Sequence, residues 1–155
     1  MNKIIIASRN RGKIDEYKEL LSDFPLAIVS LLDLSDFPEI RETGATFREN
    51  ALIKARAVAA AAGETALADD SGLEVDCLQG APGVFSSRYS GPGKDDLANN
   101  QKLLDALRGI PEYRRSARFR CVIALVTPRG KEYLSEGVCE GTITEQPIGT
   151  KGFGY

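Results

Sequence analysis

The sequence predicts an α/β fold in which helices flank a mixed central sheet. Short apolar runs alternate with helical patterns along the 155 residues, an order that is typical of α/β proteins. Near the carboxyl end, the apolar run 117–126 is followed by the turn sequence TPRG at 127–130 and by a second extended stretch, 131–139. Strands joined by so short a turn run antiparallel, so we expect at least one hairpin.

The chain opens with a predicted strand, a polar loop and an amphipathic helix. Residues 3–7 form a short apolar run rich in isoleucine, and the sequence SRNRGK follows at 8–13. Beyond it, Ile14, Tyr17 and Leu21 fall on one side of a helix because their spacing follows the helical period. We therefore expect the polar loop to lead directly into the first turn of a helix.

A second helix has clear signals at both ends. Thr46 and Glu49 have the spacing of a capping box, in which each side chain accepts a hydrogen bond from the other residue's backbone N–H. An alanine-rich body begins at Ala51, and Gly63 stands where helices commonly end in a left-handed cap. This is the most clearly helical segment of the chain.

The middle of the chain predicts one more short strand and one more helix. Leu67 lies in the apolar run that forms the strand. Asp95 or Asp96 can cap a helix that continues through Leu107, and Pro111 marks its end. The order of the strands in the sheet does not follow from these patterns.

The composition argues against several classes of function. The formal net charge is -2, whereas proteins that bind nucleic acid mainly through electrostatics have a basic surface. Cys77, Cys121 and Cys139 lack the spacing of a metal site, and we interpret them as buried free thiols in a reducing compartment. No apolar run is long enough to span a bilayer. We therefore expect a cytoplasmic protein that binds neither nucleic acid nor membrane.

The loop SRNRGK has features of a phosphate-binding site. Backbone N–H groups at the start of a helix favour an anion, Lys13 adds a mobile cation, and Ser8 and Asn10 add hydrogen-bonding side chains. The loop is not a Walker P-loop, because Gly12 is its only glycine and Ile14 follows the lysine where that motif has serine or threonine. An ordinary loop whose polar residues cap the helix explains the same pattern.

Adjacent carboxylates indicate a site for a hard cation. Asp69 and Asp70 stand at the exit of a predicted strand, where an unpaired buried charge is costly. Alternation along an extended chain places Asp70, Glu74 and Asp76 on one face and Asp69 on the other. Mg²⁺ typically takes one or two carboxylates together with water and phosphate oxygens. Helix capping and solvation explain most of these acids without a metal, but they do not explain Asp70.

Two further acids and the absence of histidine narrow the chemistry. Glu39 and Glu42 lie in the loop before the second helix and can contribute to a cation site. Residues 1–155 contain no histidine, which excludes histidine-dependent nucleophilic catalysis and histidine-rich zinc sites within them. A phosphate loop, paired aspartates and a hard cation together indicate hydrolysis of a phosphoanhydride bond.

Four segments of the chain, taken in order, carry a resemblance to a known family. They are SRNRGK at 8–13, ETGATFRENA at 42–51, ADDSGLEVDCLQGAPGVFSSRYSG at 68–91 and GFGY at 152–155. Together they resemble the successive motifs of the inosine/xanthosine triphosphate pyrophosphatase family. The resemblance implies a homodimeric α/β enzyme, an elongated two-lobed single domain with the nucleotide site in the cleft. It also implies Mg²⁺-dependent hydrolysis of ITP, dITP and XTP to the monophosphate and pyrophosphate, which removes these deaminated purine nucleotides from the pool.

The resemblance also implies roles for individual residues. Asp70 matches the catalytic residue that holds Mg²⁺ and acts as general base, and Glu42 is the candidate for a second metal contact. Lys13 matches the catalytic lysine of the phosphate loop, while Arg88 and Tyr89 match an element that is either structural or in contact with substrate. Substrate-binding roles are implied for the loop, for the residue after Asp70 and for the segment that forms part of the base pocket: Ser8, Arg9, Asn10, Arg11, Gly12, Lys13, Ser71, Phe153, Gly154 and Tyr155.

The family pattern continues beyond the last matching motif. After GFGY it has Asp-Pro and, later, a lysine and a Ser-His-Arg segment that grips the base and phosphates. We therefore expect residues 1–155 to form a single nucleoside triphosphate pyrophosphatase domain whose carboxyl-terminal part is missing.

Two other classes of function stay open. A catalytically inactive nucleotide-binding regulator would lose the metal-binding aspartates, whereas this sequence keeps Asp69 and Asp70. A nucleic-acid-binding module would need clustered basic residues. We interpret the short basic run as the start of a strand or a solvated face: Arg114, Arg115, Arg118 and Arg120.

Overall fold

The computed structural model describes residues 2–34 and 36–155 and has the predicted α/β fold. Within these ranges its strands and α-helices are, in chain order, β1 (Asn2–Ile6), α1 (Arg11–Leu20), β2 (Leu26–Ser30), α2 (Phe47–Ala62), β3 (Thr65–Val75), α3 (Asp96–Ala106), β4 (Ser116–Val126) and β5 (Glu132–Thr142). Short 3₁₀ helices lie at Asp76–Leu78, Gly83–Arg88 and Glu112–Arg114.

The strands form a five-stranded sheet in the order β2-β1-β3-β4-β5. β1 runs parallel to both of its neighbours, and Ile4 lies opposite Ile28 of β2 and Thr65 of β3. β4 and β5 are joined by a tight turn in which the Thr127 N–H donates to the Lys131 carbonyl oxygen at 2.9 Å. Neighbouring strands joined in this way are antiparallel, so the predicted mixed sheet flanked by helices is confirmed.

β2 is absent from the sequence prediction. Its five residues include the β-branched pair Ile28 and Val29, shortly after a bend at Pro25. So short a run is a weak signal by itself, because strand preference depends on packing against neighbouring strands. Here the neighbour is β1, which pairs with β2 over its whole length.

β3 continues through the two aspartates instead of ending before them. It covers 11 residues, and Asp69 and Asp70 lie in its interior, 5% and 7% exposed. The predicted position of these residues at a strand exit is therefore wrong. Leu73 and Val75 are buried beyond the aspartates, and their apolar alternation keeps the chain extended.

The chain forms two compact units, and β3, β4 and β5 contribute residues to both. The first unit contains the residues up to Asp70 and Val122–Glu136, and the second contains Ser71–Cys121 and Gly137–Tyr155. The core of the first unit includes residues of β1 and α2 that are at most 1% exposed: Ile5, Ile6, Ala51, Ala55 and Val58. The core of the second unit is built by β3, the end of α3 and β4: Leu73, Val75, Leu103, Leu107 and Ala117.

The predicted start and end of α2 and the predicted start of α3 are confirmed, whereas α3 ends at Ala106, before Pro111. The Thr46 Oγ1 accepts from the Glu49 N–H at 3.2 Å, and the Glu49 Oε2 accepts from the Thr46 N–H at 3.3 Å. α2 ends at Ala62, and its cap is Gly63, whose φ of 64° is in the left-handed region that favours glycine. The side chains of Asn10 and Asp95 cap α1 and α3 in the same way.

Two findings concern the apolar runs and the cysteines. None of the helices in residues 2–34 and 36–155 is long and apolar enough to cross a membrane. Cys77 and Cys121 are half-buried, and Cys139 is exposed. The prediction of buried thiols is therefore wrong, and for Cys139 the reason is that every residue of β5 is exposed.

Candidate active site

The loop between β1 and α1 is held by its own polar side chains. The Ser8 Oγ accepts from the Asn10 N–H at 3.1 Å, and the Asn10 Oδ1 accepts from the Lys13 N–H at 3.2 Å. The Arg9 guanidinium donates to the Phe37 carbonyl oxygen. All residues of α1 are described, and none in its first turn is acidic, so the positive end of the helix dipole suits an anion. The loop therefore caps the helix, and its role in binding phosphate is a proposal.

Lys13 is held in place by a carboxylate. With Arg11 and Gly12 it forms the first turn of α1, and its Nζ lies 2.5 Å from Asp69 Oδ2. The Lys13 and Asp69 side chains are 20% and 5% exposed. The expectation of a mobile cation is therefore wrong, because the buried Asp69 charge needs a partner and this ammonium provides it.

Asp70 lies among three polar side chains of the first unit. Its Oδ2 accepts from Asn50 Nδ2 at 3.1 Å, and Lys54 Nζ lies 3.6 Å from its Oδ1. The same Nζ donates to Glu42 Oε1 at 2.6 Å. Lys54 therefore joins the two residues that the sequence predicts as metal ligands. Asn50 and Lys54 are one helical turn apart on α2, so both project from the same face.

Burial raises the pKa of the Asp70 carboxyl above its ordinary value. The negative charge of Glu42 adds to the rise, whereas the Lys54 ammonium, the Asn50 hydrogen bond and the charge of Lys13 oppose it. Burial is the largest cause because the Asp70 side chain is only 11% exposed and its charged form is poorly solvated. An ionised carboxylate with a raised pKa is a stronger base, which suits general-base catalysis.

Asn50 also holds the loop that carries Glu42. Its Oδ1 accepts from the Gly44 N–H at 2.8 Å, so both ends of this fully buried amide are used. A Cβ at position 44 would lie 2.6 Å from Glu49 Cβ and 2.7 Å from Asn50 Oδ1, so the loop needs glycine there. Asn50 and Lys54 were missed by the sequence patterns; their signal is the helical spacing of two polar residues in an alanine-rich helix.

The donor set around Lys54 fits a magnesium ion. Asp70 and Glu42 supply carboxylate oxygens, and both approach the same ammonium group. Mg²⁺ prefers oxygen ligands and takes one or two carboxylates beside water and substrate phosphates. Within residues 2–34 and 36–155, no group of three or more His, Cys, Asp or Glu side chains could hold a metal ion. A magnesium ion held by these two carboxylates, with phosphate oxygens as further ligands, agrees with the position of Asp70 and Glu42 and with the absence of a larger cluster among the described residues.

The other acids considered for a cation site have different surroundings. In the second unit, Arg120 Nε lies 3.3 Å from Glu74 Oε2, and Arg118 Nη1 lies 2.9 Å from Asp76 Oδ1. Asp76 begins a 3₁₀ helix, but Arg118 Nη1 also lies 4.0 Å from Glu74 Oε2, so Glu74 and Asp76 project to the same side, as predicted. Glu39 is exposed. These acids are explained by ion pairs and solvation.

The GFGY segment at 152–155 is anchored within the second unit. The backbone of Gly154 is hydrogen-bonded by two side chains of α3. The Tyr155 hydroxyl donates to the Ser86 carbonyl oxygen at 2.8 Å. The Phe153 side chain is less constrained, since the residue is 47% exposed. The segment therefore combines a held backbone with an accessible aromatic ring.

Three other residues with predicted contacts lie in the second unit. Ser71 of β3 is half-buried. The Arg88 guanidinium lies over the Phe85 ring, 5.3 Å from its centroid. Lys102 Nζ donates to the Tyr89 carbonyl oxygen at 2.6 Å and lies 4.4 Å from the centroid of the same residue's ring. These contacts agree with the structural interpretation of Arg88 and Tyr89.

Comparisons with known proteins match the chain along almost its whole length. The model of the Ham1 family matches residues 4–155. The dITP/XTP pyrophosphatase of Desulforamulus reducens is 52% identical over 153 residues, which cover 99% of this chain and 76% of that protein. The dITP/XTP pyrophosphatase of Geobacter sulfurreducens is 51% identical over 155 residues, covering 100% of this chain and 78% of that protein.

Solved structures share the fold. A HAM1 protein from Coxiella burnetii matches with a TM-score of 0.89 at 46% identity, over 100% of this chain and 79% of that one. The Staphylococcus aureus Ham1 protein matches with a TM-score of 0.86 at 41% identity, over 99% of this chain and 78% of that one. The family predicted from the four motifs is thus confirmed. On the strength of its motifs, its fold and these matches, the chain belongs to the Ham1 family.

Proposed function

We propose that the protein hydrolyses ITP, dITP and XTP to the nucleoside monophosphate and pyrophosphate. Relatives that are 52% and 51% identical are named dITP/XTP pyrophosphatases, and this similarity supports the proposal. The observation that carries it is the pair of buried carboxylates on β3, Asp69 and Asp70, each beside a lysine. Carboxylates and lysines gathered in this way suit metal-assisted displacement at phosphorus.

The loop Ser8–Lys13 binds the phosphates in this proposal. The start of α1 favours an anion through its dipole, and Arg9, Arg11 and Lys13 add positive charge. Lys13 stabilises the negative charge that develops on the phosphate oxygens during the reaction. Asp69 keeps the Lys13 Nζ in position for this, since the two groups are 2.5 Å apart.

Asp70 and Glu42 hold Mg²⁺, which when bound neutralises charge on the phosphate oxygens. Asp70 also acts as the general base. The Asn50 hydrogen bond orients this carboxylate, which takes the proton from the attacking water. The water oxygen bonds to the α-phosphorus, the α–β phosphoanhydride bond breaks, and pyrophosphate leaves.

The remaining parts of the proposal concern contacts to the purine base, the oligomeric state and the cellular location. Phe153, Gly154 and Tyr155 contact the purine, on which an aromatic ring can stack, and Ser71 contacts the substrate. The enzyme is a homodimer that acts in the cytoplasm, where it removes deaminated purine triphosphates from the nucleotide pool.

The first experiment measures pyrophosphate release from ITP and XTP beside ATP and GTP. We expect turnover of ITP and XTP in the presence of Mg²⁺, much slower turnover of ATP and GTP, and loss of activity when the metal is chelated. Absence of pyrophosphate release from ITP and XTP at saturating Mg²⁺ contradicts the proposed function.

The role of Asp70 is tested separately with Asp70→Asn. The amide can still accept from Asn50, so the fold should be kept, while loss of the base should lower kcat by about 10²–10⁴-fold. Asp15→Asn is the matched control, because Asp15 is an exposed aspartate on α1 of the same unit. Wild-type turnover in Asp70→Asn contradicts the general-base role without contradicting the substrate class.

A further inference from the structure

Two side chains of α3 hold both backbone polar groups of Gly154. Asp96 Oδ2 accepts from the Gly154 N–H at 3.0 Å, and Asn100 Nδ2 donates to the Gly154 carbonyl oxygen at 3.0 Å. The two residues are one helical turn apart and therefore share a face of α3. Their chemistry matches the peptide, because a carboxylate accepts only and a carboxamide can donate.

The held glycine has a conformation that few other residues adopt. Its φ is +77°, in the left-handed region, and a Cβ would meet nothing within 4 Å. The constraint at Gly154 is therefore conformational and not steric. Fixing this one residue sets the directions in which its two aromatic neighbours, Phe153 and Tyr155, leave the turn.

Tyr155 provides a third attachment of the segment. Its hydroxyl donates to the carbonyl oxygen of Ser86, a residue that is 6% exposed and whose own Oγ donates to the Gly83 carbonyl oxygen at 2.6 Å. Burial, with the nearby Tyr89 and Asp96, raises the pKa of Tyr155, so the phenol keeps the proton that it donates. Phe153 is left as the accessible ring of an otherwise fixed segment, at 47% exposed.

We propose that Asp96 and Asn100 are positioning residues that set the selectivity for the purine base by fixing the backbone of Phe153–Tyr155. The inference rests on the proposed function, in which this segment contacts the base. A ring presented on a fixed backbone loses less conformational freedom on binding than a ring on a loose one. A loosened backbone should therefore place the ring and the backbone polar groups of the segment less precisely against the edge of the base, at which hypoxanthine and adenine differ, and leave the chemistry at phosphorus unchanged.

The experiment compares the ratio of kcat/KM for ITP to that for ATP in variants of the full chain. Asn100→Asp replaces the donor with a carboxylate that repels the Gly154 carbonyl oxygen, and Asp96→Ala removes the acceptor. Each should lower the ratio about tenfold, equivalent to about 1.4 kcal/mol, by raising KM for ITP with little change in kcat. Asp96→Asn keeps an acceptor and should restore the wild-type ratio.

A matched control and a second measurement separate positioning from folding. Asp105→Asn changes an exposed aspartate of the same helix, one that contacts Gln101 and Arg108, and should leave the ratio unchanged. Dissociation constants for ITP and ATP, measured by calorimetry on the same proteins with the metal chelated so that the substrates are not hydrolysed, should change in parallel with KM. If Asp96 and Asn100 have a purely structural role, their variants should instead have a lower melting temperature. The ITP-to-ATP ratios of kcat/KM and of the dissociation constants should then stay as in the wild type.

Phe153→Ala makes failure of this inference distinguishable from failure of the proposed function. If Phe153→Ala lowers the ratio while Asp96→Ala and Asn100→Asp do not, the positioning role is overturned and the base contact stands. If Phe153→Ala also leaves the ratio unchanged, both the base contact and the positioning role are overturned. If the protein binds ITP without hydrolysing it, the proposed reaction fails, and the ratio of dissociation constants decides the positioning role in the same way.

Discussion

Asp69 and Asp70 are neighbours in sequence but have different partners. Side chains alternate along a strand, so the two carboxylates project to opposite faces of β3. Lys13 Nζ lies 2.5 Å from Asp69, whereas Lys54 Nζ lies 3.6 Å from Asp70. The looser ion pair offsets less of the cost of burying a charge, and burial raises the pKa of Asp70 accordingly. The raised pKa makes the Asp70 carboxylate a good proton acceptor.

The raised pKa of Asp70 has a consequence for stability. Because the folded protein binds this proton more tightly than the unfolded chain does, wild-type stability falls as the pH rises from the ordinary aspartate pKa, about 3.9, through the folded pKa. Asp70→Asn resembles the protonated, uncharged form of Asp70, so the stability of this variant should not fall over that pH range. In metal-free buffer its melting temperature should exceed that of the wild type at neutral pH, and the difference should vanish in acid.

Asp33→Asn is a control for which we expect the opposite change in melting temperature. The Asp33 carboxylate accepts from the Ser30 N–H and hydroxyl at 2.8 Å each, and the backbone hydrogen bond is the main cause that lowers the pKa of Asp33. Its stabilising effect is present above about pH 3.9 and is lost as the pH falls through the folded pKa. Asp33→Asn should therefore melt below the wild type at neutral pH. A lowered melting temperature in both variants would contradict the sign argued for Asp70.

At the scale of elements, α2 positions the side chains around Asp70 in the candidate site. Its capping box fixes the residue at which the helix begins, and that start determines where Asn50 and Lys54 lie. The rotation of the helix about its axis is fixed by the core, in which Ala55 and Val58 are fully buried. Because the start and the rotation of α2 are both fixed, the side chains of Asn50 and Lys54 are held next to Asp70.

Thr46→Ala tests the contribution of the cap. The substitution removes the acceptor of the Glu49 N–H, and such changes typically cost about 0.5–2 kcal/mol. We expect a decrease of that size in the free energy of unfolding, measured by urea denaturation. Thr150→Ala, at an exposed threonine outside the helices and strands, should have no measurable effect. Equal denaturation midpoints for the two variants would show that the cap does not limit stability.

At the scale of the whole molecule, local signals predict elements and distant contacts decide the rest. The ends of α2 and the β4–β5 turn are set by residues a few positions apart, so the sequence predicts them. β2 and the strand order depend on pairing between segments far apart in the chain, such as Ile4 with Thr65. Likewise, the motifs predict Asp70 as a site residue, but its hydrogen bond from Asn50, 20 residues away, follows only from the fold.

Binding of Mg²⁺ should stabilise the folded molecule as a whole. A ligand that binds only the folded state raises its stability, by about 2.7 kcal/mol at a concentration 100 times the dissociation constant. The proposed site offers two carboxylates, Asp70 and Glu42, fewer ligands than Mg²⁺ takes, which leaves positions for water and for phosphate oxygens. We therefore expect Mg²⁺ and pyrophosphate together to raise the melting temperature more than the sum of their separate effects.

The variants Glu42→Gln and Asp70→Asn show whether that stabilisation comes from the proposed site. Each removes one anionic ligand, so the joint effect of Mg²⁺ and pyrophosphate should shrink in both, whereas Asp15→Asn should retain it. NaCl at matched ionic strength separates metal binding from general screening of charges, which acts on all variants alike. If the joint effect is as large in Glu42→Gln as in the wild type, Glu42 is not a ligand, and Asp70 with phosphate oxygens must hold the ion without it. Loss of the joint effect in both variants, with the control unchanged, assigns the site to the pair of carboxylates that Lys54 joins in the metal-free protein.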